Sequence, residues 1–284
     1  MKCVSFSHAG RAGWGCISGD GIVDLGAAFG DRAPTLKSAL GAGLLEEAAG
    51  IASRRAVDLR VEDVDFLPVV PDPDKIFCVG LNYESHRLEA NLPPVEFPVI
   101  FLRVAASQTG HGQPIVRPRE SRMLDFEGEL AIVIARGGRR IRAEDALEHV
   151  AGYSLYNDAS VRDWQRHTPQ WGPGKNFDAT GAFGPWLVTR DEIPEGTDLA
   201  LETRLNGVTV QQGNSSDMIF SFARLIEYIS TFTTLAPGDV IVTGTPAGVG
   251  GQRKPPLFMN DGDRIEVRSD RLGTLANVIT PDEG

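Results

Sequence analysis

The sequence contains few cysteines and no paired cysteine motif. Cys3, Cys16 and Cys78 are the three cysteines in 284 residues, and none belongs to a Cys-x-x-Cys motif. An odd number of scattered thiols is typical of a reducing compartment, because disulfide-stabilised proteins occur mainly outside the cytosol. We therefore expect reduced, buried thiols in a cytoplasmic protein.

The sequence also lacks an excess of basic residues and has no long apolar run. The chain carries 28 Lys and Arg against 38 Asp and Glu, so its formal net charge is -10 and its isoelectric point is near 5.0. This balance argues against nucleic acid or an anionic membrane surface as a partner, since both are negatively charged. No run approaches the about 20 apolar residues of a membrane span, and residues 1–6 do not lead into the apolar region of a signal peptide.

The chain is long enough for one large domain, or for one domain with a smaller companion. Short strand and helix candidates fill residues 1–70, and Pro68, Pro71 and Pro73 then form a stiff linker. We therefore expect a small N-terminal domain at residues 1–70 and a main domain at residues 71–284.

The main domain is rich in predicted strands. Its strand candidates are short apolar runs bounded by turn residues, at 75–80, 98–102, 152–156, 186–189, 200–205, 240–243 and 264–267. The clearest helix candidate spans 218–232, where apolar residues recur at helical spacing, and a shorter one spans 143–150. Because the strands do not alternate with helices, the pattern predicts a strand-rich α+β fold rather than a repeated βαβ array.

One stretch carries three carboxylates at alternate positions, Asp125, Glu127 and Glu129, and continues into the apolar run 130–134. In a continuous strand these three side chains would share one face, where they would repel each other. A hard divalent cation between them would relieve this repulsion. A solvated edge strand gives the same pattern, so the stretch alone leaves both interpretations open.

Asp158 follows the predicted strand at 152–156. A strand end can face the acidic strand across a mixed sheet, which makes Asp158 the candidate third ligand beside Glu127 and Glu129. Three carboxylate oxygens, with open positions for water or a chelating substrate, suit Mg²⁺ or Mn²⁺ better than Zn²⁺, which prefers nitrogen and sulfur. An aspartate after a strand also commonly caps a turn or helix.

His86 and Glu89 lie three residues apart, just after the predicted strand at 75–80. One helical turn places the imidazole and the carboxylate on the same face. A histidine oriented by a carboxylate is a general base that can take a proton from water. The alternative is an exposed helical pair without a catalytic role.

Other polar residues are candidates for substrate binding. Arg162 and Gln165 share a face of a short predicted helix, Lys175 lies in a Gly/Pro loop, and Thr245 lies in the glycine-rich run 243–251. No Gly-Lys-Ser/Thr sequence follows this run, so it is not a Walker-type phosphate loop. Its backbone amides and the Thr245 hydroxyl are nevertheless suited to a substrate carboxylate. A tight turn between strand and loop explains the glycine-rich run equally well, and Arg162, Gln165 and Lys175, each taken alone, are typical of a solvated surface.

Short motifs lie in a fixed order from residue 76 to the end of the sequence. They are Val79-Gly-Leu-Asn-Tyr83 with His86-x-x-Glu89, Asp125-Phe-Glu-Gly-Glu-Leu130, Gly152-Tyr-Ser-Leu-Tyr-Asn-Asp158, Val161-Arg-Asp-Trp-Gln165, Gly174-Lys-Asn-Phe177, Phe183-Gly-Pro-Trp-Leu-Val188, Leu205-Asn-Gly207, Pro237-Gly-Asp-Val-Ile-Val-Thr-Gly-Thr-Pro246 and Gly262-Asp263. Each is weak alone, but together and in this order they are specific. The sequence resembles the fumarylacetoacetate hydrolase family, in particular its bacterial acylpyruvate hydrolase and 2-hydroxyhepta-2,4-diene-1,7-dioate isomerase branch.

This resemblance implies a metal site with a base beside it. Glu127, Glu129 and Asp158 would hold one Mg²⁺ or Mn²⁺, and His86 with Glu89 would form the pair that activates water. Asp125 falls where the family tolerates other residues, so we expect it outside the ligand set.

The resemblance also implies substrate contacts and an assembly. Lys175 would act beside the metal, while Arg162, Gln165 and Thr245 would contact the substrate. The family fold is a strand-rich mixed β-roll, usually a homodimer, and residues 1–70 would be its small variable N-terminal domain.

One departure from the family pattern concerns the substrate. Many members carry Phe-x-Lys-Pro where this chain has Phe101-Leu102-Arg103-Val104. Arginine keeps the charge but binds carboxylates as a planar fork, which makes Arg103 a candidate for substrate binding. Arg166, His167 and Arg253 are further candidates to meet a second substrate carboxylate.

The activity implied by the resemblance is metal-dependent hydrolysis of the C–C bond of a 2,4-dioxo acid. An acylpyruvate, such as one of the fumarylpyruvate type, would be cleaved in aromatic or related catabolism. Since the metal stabilises the enolate of any 2-oxo acid, decarboxylation of an oxaloacetate-like acid and isomerisation or hydration of a 2-hydroxy-dienoate are alternatives. A complete ligand set beside a general base disfavours a non-catalytic metal- or carboxylate-binding protein.

Overall fold

The computed structural model describes residues 1–283. Its strands in chain order are β1 (Lys2–His8), β2 (Arg11–Ser18), β3 (Gly21–Asp24), β4 (Leu59–Arg60), β5 (Asp65–Phe66), β6 (Ile76–Gly80), β7 (Val99–Arg103), β8 (Gln108–Thr109), β9 (Ile115–Arg117), β10 (Leu124–Asp125), β11 (Gly128–Ile134), β12 (Val150–Asp158), β13 (Ser160–Val161), β14 (Gly181–Thr189), β15 (Ala200–Leu205), β16 (Val208–Asn214), β17 (Val240–Val242), β18 (Arg264–Ser269) and β19 (Gly273–Pro281). The α-helices are α1 (Leu25–Phe29), α2 (Leu36–Gly41), α3 (Leu45–Ala52), α4 (Glu84–Glu89), α5 (Arg162–Gln165), α6 (Gly172–Lys175) and α7 (Phe222–Phe232).

The strands of the described chain form two main sheets. The larger has the order β4-β3-β2-β1-β14-β12-β11-β17-β6-β7, with β5 beside β1 and β8 beside β14. The smaller has the order β16-β15-β18-β19-β9, and β10 pairs separately with β13. This is a strand-rich α+β fold, as the sequence predicted.

Strand β11 lies in the middle of the large sheet and is buried on both faces. Leu130 and Ile132 pack into the core that contains residues of the smaller sheet and α7. Ala131 and Val133 pack on the opposite face, into a second core. Burial on both faces explains why this strand is a continuous apolar run rather than an alternating one.

The pairing of β11 with β12 determines where the acidic residues meet. The two strands are antiparallel, with Gly128 opposite Asn157 and Glu129 opposite Tyr156. The Asp158 backbone N–H donates to the Glu127 carbonyl at 2.9 Å. The start of β11 and the end of β12 therefore lie side by side.

The N-terminal residues extend the same sheet. β1 pairs antiparallel with β14, and Lys2 lies opposite Val188. Leu36 and Leu40 of α2 share the second core with Val133 of β11. Residues 1–70 thus pack against the central strands, and their separation as a domain stays a prediction.

Some element bounds differ from the sequence predictions. The helix expected at 218–232 begins at Phe222, because Ser221 caps it and its hydroxyl accepts from the Arg224 N–H. The helix expected at 143–150 is a 3₁₀ helix, Ala143–His149. Among the strands of three or more residues, three were not predicted: β9, β16 and β19.

The three cysteines are buried free thiols, as the sequence predicted. Burial raises the pKa of the Cys78 thiol well above its usual value, so this side chain is a small apolar core residue. No helix within residues 1–283 has both the length and the apolar character needed to cross a membrane.

Candidate active site

Three carboxylates meet where β11 begins and β12 ends. Glu127, Glu129 and Asp158 are all buried, and their ligand oxygens lie within 4.8 Å of one another. Carboxylate oxygens are the donors that hard divalent cations prefer. The structure thus brings together the three residues that the sequence predicted as metal ligands, hereafter the acidic triad.

Asp125 lies outside this triad. Residues 125–129 do not form the continuous strand that the sequence predicted, because β10 ends at Asp125 and β11 begins at Gly128. One Asp125 oxygen, Oδ1, accepts from the Gly250 N–H at 2.7 Å. The other, Oδ2, accepts from the Gly251 N–H at 2.8 Å and from Arg162 Nε at 2.7 Å. Asp125 is therefore a buried partner of Arg162.

Basic side chains surround two of the three acids. Lys175 Nζ lies 2.6 Å from Glu127 Oε2 and 2.6 Å from Asp158 Oδ2. Arg162 Nη2 lies 2.7 Å from Glu127 Oε1, and Arg103 Nη1 donates to Asp158 Oδ1. Burial alone would raise the Glu127 pKa, but the Lys175 and Arg162 charges outweigh it and lower that pKa to about 2. Glu127 is therefore ionised and ready to bind a cation.

Glu129 has a different environment. Within residues 1–283 no basic side chain forms an ion pair with it, and the Gly244 N–H donates to its Oε2 at 2.5 Å. Burial raises the Glu129 pKa well above its usual value, and the charges of Asp158 and Glu127 raise it further. An additional positive charge at this position would remove the repulsion.

The charges of the buried cluster fit a divalent cation. The cluster contains four carboxylates and three basic side chains: Asp125, Glu127, Glu129, Asp158, Arg103, Arg162 and Lys175. One negative charge is left uncompensated when all of them are ionised. A divalent cation would leave one positive charge, which suits an anionic substrate.

The structure also brings His86 and Glu89 together, on α4. His86 Nδ1 lies 3.2 Å from Glu89 Oε2. The Gly248 N–H donates to both Glu89 oxygens, at 3.0 and 3.1 Å, and fixes the carboxylate. When Nδ1 carries the proton toward Glu89, Nε2 is left as a free base. His86 lines the same cavity as Glu127 and Glu129, which places the pair near the triad.

A cavity of about 230 Å³ joins these groups. Its polar lining includes His86, Glu127, Glu129, Arg162, Gln165, Arg166, Lys175, Thr245 and Gln252, and its apolar lining includes Val79, Leu92, Phe101, Trp171 and Val249. This volume is below the about 300–1,000 Å³ of drug-sized ligand sites. The cavity is therefore suited to a small acid.

The glycine-rich loop, residues 244–251, uses its amides within the protein. Gly244 binds Glu129, Gly248 binds Glu89, and Gly250 with Gly251 binds Asp125. These four amides are therefore engaged by the chain's own carboxylates, and binding of a substrate carboxylate by this loop stays a prediction.

The loop's threonine is bonded internally as well. Thr245 Oγ1 donates to the Gly128 carbonyl at 2.9 Å and accepts from Gln211 Nε2 at 2.8 Å. It lines the cavity, but its hydroxyl proton is already used to hold the loop against β11.

Arg103 does not line the cavity. It is 3% exposed, and besides Asp158 it donates to Thr180 Oγ1 at 2.7 Å and Ser107 Oγ at 3.2 Å. The sequence-based expectation that Arg103 binds substrate therefore has no support in the geometry. Its contacts orient Asp158 within the triad.

Comparison with known proteins agrees with this geometry. A family model described as the C-terminal domain of fumarylacetoacetate (FAA) hydrolase matches residues 75–280, which include the triad, His86 and Lys175. The chain belongs to the fumarylacetoacetate hydrolase family.

Relatives and solved structures of this family cover most of the chain. The human protein named oxaloacetate tautomerase FAHD2A, mitochondrial, is 40% identical over 92% of this chain and 85% of its own length. Oxaloacetate tautomerase YisK of Bacillus subtilis (strain 168) is 46% identical over 74% of this chain and 71% of its own length. The crystal structure of maleylpyruvate hydrolase from Sphingobium sp. SYK-6, in complex with manganese(II) and pyruvate, has a TM-score of 0.83 and 27% identity, with full coverage of both chains.

Several functional features of this fumarylacetoacetate hydrolase family member were missed from the sequence. Asp125 was recognised as an acid but not as the partner of Arg162. Phe101 and Trp171 line the cavity, and the Lys175 ammonium lies 4.9 Å from the Phe101 ring centroid. The glycine-rich loop was noticed, but its use by internal carboxylates depends on contacts between distant residues. Only the fold shows that this loop lies close to three carboxylates.

Replacing Gly250 by alanine should disrupt the loop. An added Cβ would lie 1.7 Å from the Leu257 carbonyl oxygen and 2.6 Å from Asp125 Oδ1, so the backbone must move. We expect a loss of about 3 kcal/mol in the free energy of unfolding, the upper range for overpacking a core, measured by urea denaturation. Gly41→Ala is the control, since its Cβ meets nothing closer than 4.0 Å. Equal stability of both variants would contradict the importance of the loop contacts.

Replacing Asp125 by alanine should leave Arg162 and the Gly250 and Gly251 amides without their acceptor. Removing one partner of a buried ion pair costs about 3–5 kcal/mol of unfolding free energy. The matched control is Asp261→Ala, because Asp261 forms an exposed ion pair with Arg117 and such pairs contribute only about 0–1 kcal/mol. Thermal unfolding of both variants measures the difference, and similar losses would argue against a structural role for Asp125.

Proposed function

We propose that this protein catalyses the keto–enol tautomerisation of oxaloacetate with Mg²⁺ or Mn²⁺ at the acidic triad. The observation that carries this proposal is that relatives from human and Bacillus subtilis, 40% and 46% identical, are both named oxaloacetate tautomerases. The geometry supports it, because a proton-transfer pair lies near three carboxylates in a cavity of small-acid size. The proposal takes up the oxaloacetate and isomerase alternatives in place of the expected C–C hydrolysis.

Glu127, Glu129 and Asp158 would hold the cation. When bound, it supplies positive charge that stabilises the enolate of a 2-oxo acid and fixes its carboxylate. Arg103 and Arg162 orient the ligands, and Lys175 places a further positive charge in the cavity lining.

His86 performs the proton transfer. Its Nε2 takes a proton from C3 of the keto form, and the electrons of the C3–H bond form the C2=C3 double bond of the enolate. The same imidazole returns the proton to O2, which gives the enol and restores the neutral base. Glu89 accepts from Nδ1 and stabilises the imidazolium that forms between the two steps. No water, oxidant or other co-reactant is needed.

The substrate's oxygens need donors that the protein does not already use. The side-chain oxygen of Gln165, Oε1, accepts from Arg162 Nη1 at 2.9 Å, so the side-chain nitrogen Nε2 takes no part in this bond. No acceptor for that nitrogen is found within residues 1–283, and Gln165 lines the cavity. Gln165 is therefore a donor for the substrate, whereas Arg162 is largely engaged with Asp125 and Glu127.

The test is an ultraviolet assay that starts from the enol of oxaloacetate. With Mg²⁺ or Mn²⁺ the protein should accelerate the decay of the enol band to its equilibrium value, and EDTA should abolish this effect. Pyruvate, measured with lactate dehydrogenase, should not appear at a matching rate. Pyruvate formed in step with the loss of oxaloacetate would instead assign decarboxylation.

Hydrolysis of an acylpyruvate is the second candidate. It is favoured by the likeness to maleylpyruvate hydrolase at a TM-score of 0.83 and by the intact His86–Glu89 pair, which is equally suited to activating water. A panel of acylpyruvates separates the two functions, because hydrolysis consumes the diketo-enol band completely and releases one pyruvate per substrate.

A further inference from the structure

The structure separates the four residues that the sequence offered as contacts for a second substrate carboxylate. Arg103 is buried against Asp158. Arg253 donates to two backbone carbonyls, through Nε at 3.1 Å and through Nη2 at 2.5 Å, and does not line the cavity. His167 is also absent from the cavity lining, whereas Arg166 is part of it.

Arg166 is placed differently from the other arginine of its helix. It follows directly after α5, and its backbone N–H donates to the Asp163 carbonyl at 3.1 Å. Arg162, one turn earlier, forms ion pairs with Asp125 and Glu127. Within residues 1–283 no carboxylate lies within 4.0 Å of the Arg166 guanidinium, and the side chain is exposed at the cavity. Arg166 is thus an arginine of the cavity lining whose charge is not paired within the described chain.

The charges of the cavity indicate what Arg166 can bind. The buried cluster with a divalent cation carries one excess positive charge, and Arg166 adds a second. A 2-oxo acid with one carboxylate would match only the first charge. A dicarboxylic acid would match both, with one carboxylate at the cation and the other at Arg166. Arginine suits this role because its planar fork binds a carboxylate through two hydrogen bonds.

We propose that Arg166 binds the distal carboxylate of the substrate and makes the site selective for dicarboxylic over monocarboxylic 2-oxo acids. This proposal rests on the proposed function, since it requires a 2-oxo acid at the acidic triad. Gln252 lines the same cavity and offers a further amide donor for that carboxylate. Apolar walls at Phe101 and Trp171 enclose the short carbon chain between the two ends.

A pair of unreactive acids tests the proposal by binding alone. Malate and lactate both offer a 2-hydroxy carboxylate to a cation and differ in the distal carboxylate. Calorimetric titration of the Mn²⁺-loaded protein should show malate binding tighter than lactate by roughly 10- to 100-fold, the range of a charged hydrogen bond. In Arg166→Gln this ratio should fall toward one while lactate affinity is retained, and Arg166→Lys should restore part of it.

Arg11→Gln is the matched control, since Arg11 is exposed at the start of β2, does not line the cavity and gives the same change in net charge. It should leave the ratio unchanged. A ratio that persists in Arg166→Gln, or equal binding of both acids to the unaltered protein, would overturn the role of Arg166 and leave the proposed function standing. Failure of both acids to bind the Mn²⁺-loaded protein would overturn both proposals.

Discussion

Replacing Glu129 by glutamine is expected to abolish turnover without unfolding the protein. Glu129 is the member of the triad that lacks a basic partner, so removing its charge relieves repulsion with Asp158 and Glu127. Glutamine keeps an oxygen that can accept from the Gly244 N–H. In the absence of metal the variant should therefore be at least as stable as the parent, whereas Glu127→Gln would leave Lys175 and Arg162 short of a counter-charge.

The same change should weaken Mn²⁺ binding by more than about 100-fold, because losing even an outer partner of a metal ligand costs about 10- to 100-fold. Calorimetric titration with Mn²⁺ measures the affinity, and thermal unfolding without metal measures the stability. Glu46→Gln, at an exposed position of α3, is the control for loss of one negative charge. Unchanged Mn²⁺ affinity in Glu129→Gln would exclude Glu129 as a ligand.

Replacing His86 by glutamine should slow enol decay by about 10²- to 10⁴-fold, the usual contribution of a general base. Mn²⁺ affinity should change little, because His86 lies outside the triad. Glu89→Gln should have a smaller effect, since it removes the charge that stabilises the imidazolium but keeps a group for Nδ1 to contact. Stopped-flow measurement of the enol band with saturating Mn²⁺ gives the rates.

His167→Gln is the control for the His86 variant, because His167 is exposed and does not line the cavity. A His86→Gln enzyme with nearly full rate would show that another group moves the proton. The assignment of the metal site would survive that result, since it depends on different residues.

Much of the candidate site could be predicted from local sequence. Glu127 before β11, Glu129 within it, and Asp158 at the end of β12 are each visible in a few residues of sequence, as is the His86–Glu89 spacing. The antiparallel pairing of β11 with β12 then brings the two acidic ends together. The apolar runs next to these acids were enough to predict both strands. Because strand ends of one sheet meet at its edge, the acids could be expected to lie close together.

Contacts between distant residues could not be predicted in this way. The position of Arg103 on Asp158, and of Asp125 on the Gly250 and Gly251 amides, depends on packing across the whole chain. The alternating pattern of residues 125–129 predicted one continuous strand, but β10 ends at Asp125 and β11 begins at Gly128. Every residue of this stretch fits the pattern, so the break is not visible in the sequence. The homodimer, the cytoplasmic location and the domain division at residue 70 stay predictions.

The position of β17 in the large sheet has a consequence for how the chain folds during synthesis. This strand, Val240–Val242, lies between β11 and β6, which precede it by more than a hundred residues. Until it leaves the ribosome, the apolar strand β11 has one open edge, and such edges favour aggregation. Folding dominated by such long-range pairing is slow. We therefore expect the nascent chain to depend on chaperones until almost all of it has been translated.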